Sequence, residues 1–247
     1  MADDVMVAPG GEAGLSQVER VVDTFIAPSK TFTDILRSTS WWLPFLLMVV
    51  VTLGSAYAID KKVTFAAVSE AEMAKSSMGS DRINSLPADQ RASVMQRQAV
   101  ITKYTTYASF LFILIFVAIE ALVLWASFNF GLGAKTTFGQ VFAVVMYSAL
   151  PRLFVGLLNI ILLFANVGTE NFDLRNPVGT NIGYYMTSPA LRAAGAFFDV
   201  FGLWCLFLLI LGMSIVSKKT MGQAAAVVVG WWVLILLLAT GAAAVFS

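Results

Sequence analysis

The sequence predicts an all-α protein that crosses a membrane five times and carries an N-terminal amphipathic interfacial helix ahead of its first span. Of its 247 residues, 58% are hydrophobic and 13% are charged, whereas a soluble domain is about half apolar and a quarter charged. Five apolar runs have the length of about 20 residues that a membrane-spanning helix needs. These runs are too long and too uniformly apolar for barrel strands, which alternate in polarity over about ten residues.

The chain divides into a short tail and a single membrane domain. Residues 1–15 are predicted to be a flexible tail, because "MADDVMVAPGGEAGL" is acidic and has no apolar core. Residues 16–247 form the membrane domain, with spans predicted at about 41–59, 104–128, 138–165, 195–216 and 222–246. The polar segment 60–103 is predicted to be a helical hairpin outside the membrane, because Pro87 precedes a helix-forming stretch that continues into the second span.

The segment before the first span has the pattern of an amphipathic helix. Ser16 and Glu19 have the capping-box spacing, which predicts that a helix begins there. Apolar residues then recur at helical spacing, and we expect Val22, Phe25 and Phe32 to insert into the membrane interface. The alternative is an ordinary amphipathic helix that packs on the protein's own loops.

Three ionisable residues fall within the predicted spans: Glu120, Arg152 and Asp199. A charge at the bilayer centre costs about 2.5 to 3.5 kcal/mol on insertion scales, so such residues turn inward or pair with each other. Depth along antiparallel helices favours Glu120 as the partner of Arg152, with Asp199 as the competing partner. The set predicts an intramembrane ionic site. It is either a structural ion pair that fixes helix register or a site for proton coupling, ion passage or conformational switching.

The third predicted span has a polar face and an interruption at its midpoint. Small and polar residues at helical spacing are expected to face neighbouring helices, and this stripe contains Ser148, Arg152, Gly156 and Asn159. Pro151 removes a backbone donor and frees the carbonyl of Tyr147. We therefore expect a helix kink at Tyr147 and Pro151.

Composition and motifs exclude most enzymatic chemistry. The chain has no histidine and only one cysteine, so the commonest general base and the commonest metal ligand are missing. It contains no nucleotide-binding, serine-hydrolase or zinc-protease motif. We expect no catalytic residues, no metal site and no cofactor. The net charge of +1 implies no nucleic-acid partner.

Several sequence blocks resemble the YIP1 family of five-span integral membrane proteins, in its bacterial branch. They are the pre-membrane "DTFIAPSKTFTDI", the third-span "FGQVFAVVMYSALPRLF" and the block "FDVFGLWCLFLLILGMSIVSKKTMGQAAAVVVGWW". Tyr147 and Pro151 fit the tyrosine-then-proline pattern of the family's third helix. The resemblance covers about residues 18–244.

The resemblance implies a location and an orientation. It implies an integral protein of the bacterial cytoplasmic membrane, with the N-terminus in the cytoplasm. The distribution of lysine and arginine does not decide the orientation, because Lys135, Lys218 and Lys219 favour it while Lys61, Lys62 and Lys103 favour the reverse. Eukaryotic members act in vesicle trafficking and bind Rab-type GTPases, but the "DLYGP" motif is absent here and the first loop is longer. Rab-type GTPase binding is therefore not expected.

Two functional hypotheses from different classes remain. The first is a non-enzymatic YIP1-type protein that organises the membrane or partner proteins, in contact with the lipid bilayer and with other membrane proteins or further copies of itself. The second is a small transporter or channel subunit that uses Glu120, Arg152 and Asp199.

Overall fold

The computed structural model describes residues 14–74, 81, 83–170 and 172–245, so most of the predicted tail lies outside the described residues. The fold-class prediction is confirmed: the chain is helical and has five helices long and apolar enough to cross a membrane. In chain order, the helices are α1 (Gln17–Ile26), α2 (Pro28–Ile35), α3 (Trp42–Lys62), α4 (Phe65–Ala74), α5 (Ala88–Tyr107), α6 (Ser109–Ala126), α7 (Phe138–Ser148), α8 (Arg152–Phe164), α9 (Pro189–Ala196), α10 (Val200–Ser217) and α11 (Met221–Val245).

The five candidate spans are α3, α6 with the π-helical turn Ser127–Gly131, α7 together with α8, α10, and α11. Two of them begin later than the sequence predicts. The second begins at Ser109, because the polar helix α5 ends just before it. The fourth begins at Val200, because Asp199 caps the helix there and α9 is a separate short helix.

The third span lies at the centre of the bundle. It is the most buried of the five candidate spans, and every residue from Val141 to Ser148 is buried. The α7 segment packs between α6 and α10, while α8 packs along α3. At Gly156 the close approach needs a glycine, because a Cβ there would lie 2.4 Å from the Val51 side chain.

Helices α1 and α2 form a hairpin against the flank of the bundle. We call the side on which α3 begins the N-terminal side, and the side on which α3 ends the loop side. Phe32 on α2 packs against α10 beside Gly212, where an added Cβ would lie 2.9 Å from its ring. Near the turn of the hairpin, the Phe25 ring lies 5.5 Å from that of Phe154 and 5.7 Å from that of Trp204.

These contacts fix the depth of the α1–α2 hairpin. Phe154 follows the mid-span interruption, and Trp204 belongs to the loop-side end of α10, which begins at Val200. The tip of the hairpin therefore reaches well into the depth of the spans. It does so from the N-terminal side, where the chain continues into α3. The predicted N-terminal amphipathic segment is thus present as two short helices, α1 and α2, which pack as a hairpin on the bundle.

On the loop side, α4 and α5 pack against each other, and residues 75–80 and 82 between them lie outside the described residues. Lys103 binds Asp60 at 2.9 Å, which joins α5 to the end of α3. The segment between α8 and α10 is held by Arg192, which binds Asp173 at 2.6 Å. It is also joined to α4 by Arg175, which binds Glu72 at 3.0 Å.

Candidate functional site: a polar-lined cavity within the spans

A cavity of about 770 Å³ lies between α3, α6 and α8. Each helix contributes residues at successive helical turns, so one continuous face of each helix lines the space. The α3 face runs from Met48 to Ile59, and the α6 face runs from Ser109 to Glu120. Loop residues complete the lining on the loop side: Phe172, Leu174 and Pro177. The cavity therefore extends from the middle of the spans to the loop-side surface.

The cavity exists because α6 and α8 diverge. Helix α3 packs against both, whereas α6 and α8 are not among the described helix pairs that pack along their length. Phe112 and Phe116 line the cavity from α6 but are 46% and 67% exposed. The cavity is thus open on its flank as well as towards the loop side.

Glu120 and Arg152 both line this cavity. They interact electrostatically across it, but among the described residues neither takes part in a direct ion pair. Arg152 also lies beside the thiol of Cys205 on α10. The structure therefore brings the two predicted partners to one shared space but not into direct contact, and both side chains are exposed to that space.

The stripe predicted along the third span divides between two environments. Asn159 is buried and donates to the Ser55 hydroxyl over 3.4 Å, and Ser55 donates to the carbonyl of Gly156 over 3.3 Å. These three residues line the cavity with Arg152. Ser148 instead is buried away from the cavity, and its hydroxyl has no hydrogen-bond partner among the described residues. The helix interruption between α7 and α8 separates it from the others.

That interruption falls at the predicted kink residues. Helix α7 ends at Ser148, α8 begins at Arg152, and Pro151 occupies the cap position between them. The carbonyl of Tyr147 accepts from the Leu150 amide at 3.1 Å, so a tighter turn satisfies it. The Tyr147 hydroxyl, fully buried, donates to Gln17 at 3.1 Å. Tyr147 thus connects the interruption to the α1–α2 hairpin.

Asp199 does not belong to the intramembrane site. Its side chain caps α10 by accepting from the amide of Gly202 at 2.8 Å, and it also accepts from the hydroxyl of Thr180. It pairs through its backbone with Asn181. The fourth span therefore begins five residues later than the predicted boundary at 195, and Asp199 lies at its end and not within it.

Sequence reasoning missed a second polar centre, at the base of the α1–α2 hairpin. The Arg20 side chain is fully buried and contacts Asp34 at 2.6 Å. It also donates to the carbonyls of Ser38 at 2.8 Å and Ser40 at 3.4 Å. The available signal was that Arg20 and Thr24 share one face of α1. This face packs on the protein, where both residues are buried.

The carboxyl of Asp34 is shared by two arginines. Partial burial works against its charged form, but hydrogen bonds from Arg37 and Arg20 outweigh that effect and hold the pKa of Asp34 below its usual value. Arg37 donates from Nε at 2.8 Å. The centre is therefore an ionic network at physiological pH.

The three predicted membrane-interface residues have different surroundings. Val22 is exposed, whereas Phe25 packs between aromatic rings of the bundle. Phe32 is fully buried in the main hydrophobic core. The prediction for Phe32 is wrong, because it packs on protein and not on lipid. The outward apolar residues of α1 are Val18, Val22 and Ile26, so Val22 is the one predicted residue among them.

These features define a polytopic helical membrane protein with an N-terminal helical hairpin and a polar-lined cavity within its spans. A family model described as the Yip1 domain matches residues 22–242. The chain belongs to the Yip1 family. A search of curated proteins and a search of solved structures each found no significant match.

Proposed function

We propose that this Yip1-family protein organises the membrane around it, without catalysing a reaction, by enlarging the leaflet on its N-terminal side. The observation that carries the proposal is the α1–α2 hairpin. Each of the five candidate spans is long enough to cross both leaflets, whereas α1 and α2 turn back at Ala27 and are held at the N-terminal side, where Arg20 donates to the carbonyls of Ser38 and Ser40. The protein therefore has a larger cross-section on that side, which favours a curved membrane.

The outer face of α1 supports contact with lipid. Val18, Val22 and Ile26 lie one helical turn apart and are 64%, 48% and 74% exposed. The opposite face buries Arg20 and Thr24. Apolar side chains turned outward are unfavourable in water and favourable in hydrocarbon. The hairpin is thus built with its polar side on the protein and its apolar side towards the bilayer.

The experiment measures how the purified, labelled protein distributes among liposomes of different diameter. We expect the wild-type protein to be enriched on the most curved liposomes. Replacing Val18, Val22 and Ile26 together by Ser should remove that enrichment, because the hairpin then inserts less deeply. The control replaces Leu234, Leu237 and Leu238 by Ser, since these side chains are also exposed but lie on α11, which crosses both leaflets.

Two outcomes would count against the proposal. One is a wild-type protein that ignores curvature. The other is an equal loss of curvature preference in the hairpin variant and the α11 variant, which would reflect general weakening of membrane contact.

We also propose the bacterial cytoplasmic membrane as the location, with the N-terminal side in the cytoplasm. Helix α11 packs mainly on α9 and α10 and leaves much of its surface uncovered. This surface supports contact with other membrane proteins or with further copies of the chain. Rab-type GTPase binding is not part of the proposal, since the "DLYGP" motif is absent from the sequence.

A second candidate function is that of a small transporter or channel subunit. The observation that favours it is the cavity, which brings Glu120, Arg152 and Asn159 to one space but not Asp199. A liposome flux assay tests it. Flux of a solute that depends on both Glu120 and Arg152 would favour transport over membrane organisation.

A further inference from the structure

We propose that the cavity between α3, α6 and α8 binds a zwitterionic phospholipid, with the lipid phosphate on Arg152 and its ammonium on Glu120. The lipid enters from the leaflet on the loop side. This inference goes beyond the proposed function and does not rest on the α1–α2 hairpin, which contributes no residue to the lining of the cavity.

The cavity is lined by one acidic and one basic side chain, which favours a ligand that carries both a positive and a negative charge. Glu120 and Arg152 face the same space, yet they form no direct ion pair among the described residues. The thiol of Cys205 beside Arg152 is only a weak hydrogen-bond partner. Charged side chains within a membrane normally pair or face a water-filled space. A phosphate satisfies Arg152 and an ammonium satisfies Glu120, whereas a purely anionic ligand satisfies only one of them.

A polar route leads from these charges to the loop-side surface. Hydroxyl and amide side chains line it on four helices, α3, α5, α6 and α8: Thr52, Ser55, Thr106, Ser109 and Asn159. These groups can hydrogen-bond a hydrated headgroup along the way. The route ends under the loop that carries Phe172 and Leu174. A headgroup can therefore reach Arg152 from the loop-side surface without crossing bare hydrocarbon.

The open flank favours a lipid over a water-soluble zwitterion. Phe112 and Phe116 line the cavity and are also exposed on the outer surface of α6. The gap between α6 and α8 lets acyl chains leave the cavity and remain in the bilayer. A soluble ligand has no chains to cover these apolar walls.

The volume suits a headgroup. Small-molecule sites in proteins have volumes of about 300 to 1,000 Å³, and this cavity, which is open on its flank, has a volume of about 770 Å³. The headgroup and glycerol of one phospholipid occupy such a space, provided that the chains extend through the open flank.

The experiment measures binding of two lipids with identical chains to the full-length protein in mild detergent, by native mass spectrometry and by thermal shift. The probes are dioleoyl phosphatidylethanolamine, which is zwitterionic, and dioleoyl phosphatidylglycerol, which is anionic and lacks the ammonium. We expect the zwitterionic lipid to bind at least about tenfold more tightly than the anionic one, because its ammonium makes one additional charged hydrogen bond, to Glu120. Free O-phosphoethanolamine is the third probe and should not compete.

Variants assign the two ends of the lipid. Glu120→Gln should remove the preference for the zwitterionic lipid and leave binding of the anionic one unchanged. Arg152→Gln should weaken both by at least about tenfold. Glu70→Gln and Arg97→Gln are the matched controls, because both side chains are exposed and neither lines the cavity.

A variant with a bulky side chain tests the site without changing either charge, in case a charge variant does not fold. Ser109→Phe places a ring in the cavity and keeps both charges, so it should reduce binding of both lipids. Three results would overturn the proposal: equal binding of the two lipids by the wild-type protein, displacement of lipid by free O-phosphoethanolamine, or full lipid preference in folded Glu120→Gln. Displacement by the free headgroup would assign the site to a soluble zwitterion.

Discussion

Arg20 holds Asp34 with two nitrogens, since Nε and Nη2 both lie 2.6 Å from the same carboxylate oxygen. The same guanidinium reaches the carbonyls of Ser38 and Ser40, just before α3 begins. The backbone carbonyl of Arg20 in turn accepts from two hydroxyls, those of Thr24 and Thr31. One residue therefore joins α1, α2 and the entry to the first span.

We expect Arg20→Leu to lower stability by about 3 to 5 kcal/mol, because it removes one partner of a buried ion pair and leaves two carbonyls unsatisfied. Arg20→Lys should recover only part of the loss, since an ammonium cannot reproduce the planar fork. Thermal unfolding in detergent measures both. Arg97→Leu is the control on an exposed helix face. Equal unfolding midpoints for Arg20→Leu and Arg97→Leu would contradict the structural role.

The stability that Asp34 contributes should depend on pH with a definite sign. Its pKa in the folded protein is lowered by Arg37 and Arg20 against the opposing effect of burial. The contribution is therefore fully present above the unfolded pKa of about 3.9 and is lost as the pH falls through the lower folded value. The measurement compares wild-type protein with Asp34→Asn between pH 7 and pH 3. Their difference in unfolding midpoint should be constant above about pH 5 and shrink below about pH 4. A difference that grows on acidification would refute the assignment.

Much of the fold could be predicted from apolar length alone. Each run of about 20 apolar residues can be assigned to a span without knowledge of the tertiary structure. In the bilayer the backbone hydrogen bonds must be made within the segment itself, and a helix makes them. The boundary at Asp199 failed for a physical reason. Hydropathy does not separate α10 from the short helix α9 that precedes it. The boundary is set by Asp199, which accepts from the amide of Gly202 and so caps the start of α10.

The side chains of the candidate site were predicted better than their arrangement. Glu120 and Arg152 were identified because a charged side chain in hydrocarbon is unfavourable in free energy. Both line the cavity. Glu120 and Arg152 face a gap because α6 and α8 diverge. Helical periodicity in the sequence does not predict this divergence. The sequence leaves the surroundings of α1 undecided for a similar reason. The periodicity of α1 identifies an apolar face but does not show whether protein or lipid covers it, and here the polar face with Arg20 is the buried one.

Gly212 should tolerate no larger residue, because the hairpin packs directly on it. A Cβ there would lie 2.6 Å from Val144 and 2.9 Å from the Phe32 ring. We expect Gly212→Ala to cost about 1 to 3 kcal/mol in thermal unfolding, as overpacking does. Gly230→Ala on α11 is the matched control, because a Cβ there meets nothing within 4 Å. If both variants unfold alike, α2 does not pack on α10 as described.

Asp199 should behave as a helix cap and not as an intramembrane charge. Asp199→Ala should destabilise the protein by about 0.5 to 2 kcal/mol, whereas Asp199→Asn should cost much less because asparagine caps equally well. Unfolding midpoints of the two variants in detergent provide the measurement. An Asn variant as unstable as the Ala variant would show that the negative charge itself is required.

The orientation proposed here can be tested by thiol labelling of intact cells. Cys205, the only cysteine in the sequence, is first replaced by Ser. Gln96 on α5 is exposed on the loop side, and Gly222 at the start of α11 borders open space on the N-terminal side.

With the N-terminal side in the cytoplasm, an impermeant reagent should label Gln96→Cys and should label Gly222→Cys only after the cells are permeabilised. The expectation follows from the five spans, which place α5 and the start of α11 on opposite faces of the membrane. Permeabilised cells provide the control, since both positions should then react. Labelling of Gly222→Cys alone in intact cells would invert the orientation. It would also move the leaflet enlarged by the α1–α2 hairpin to the outer face.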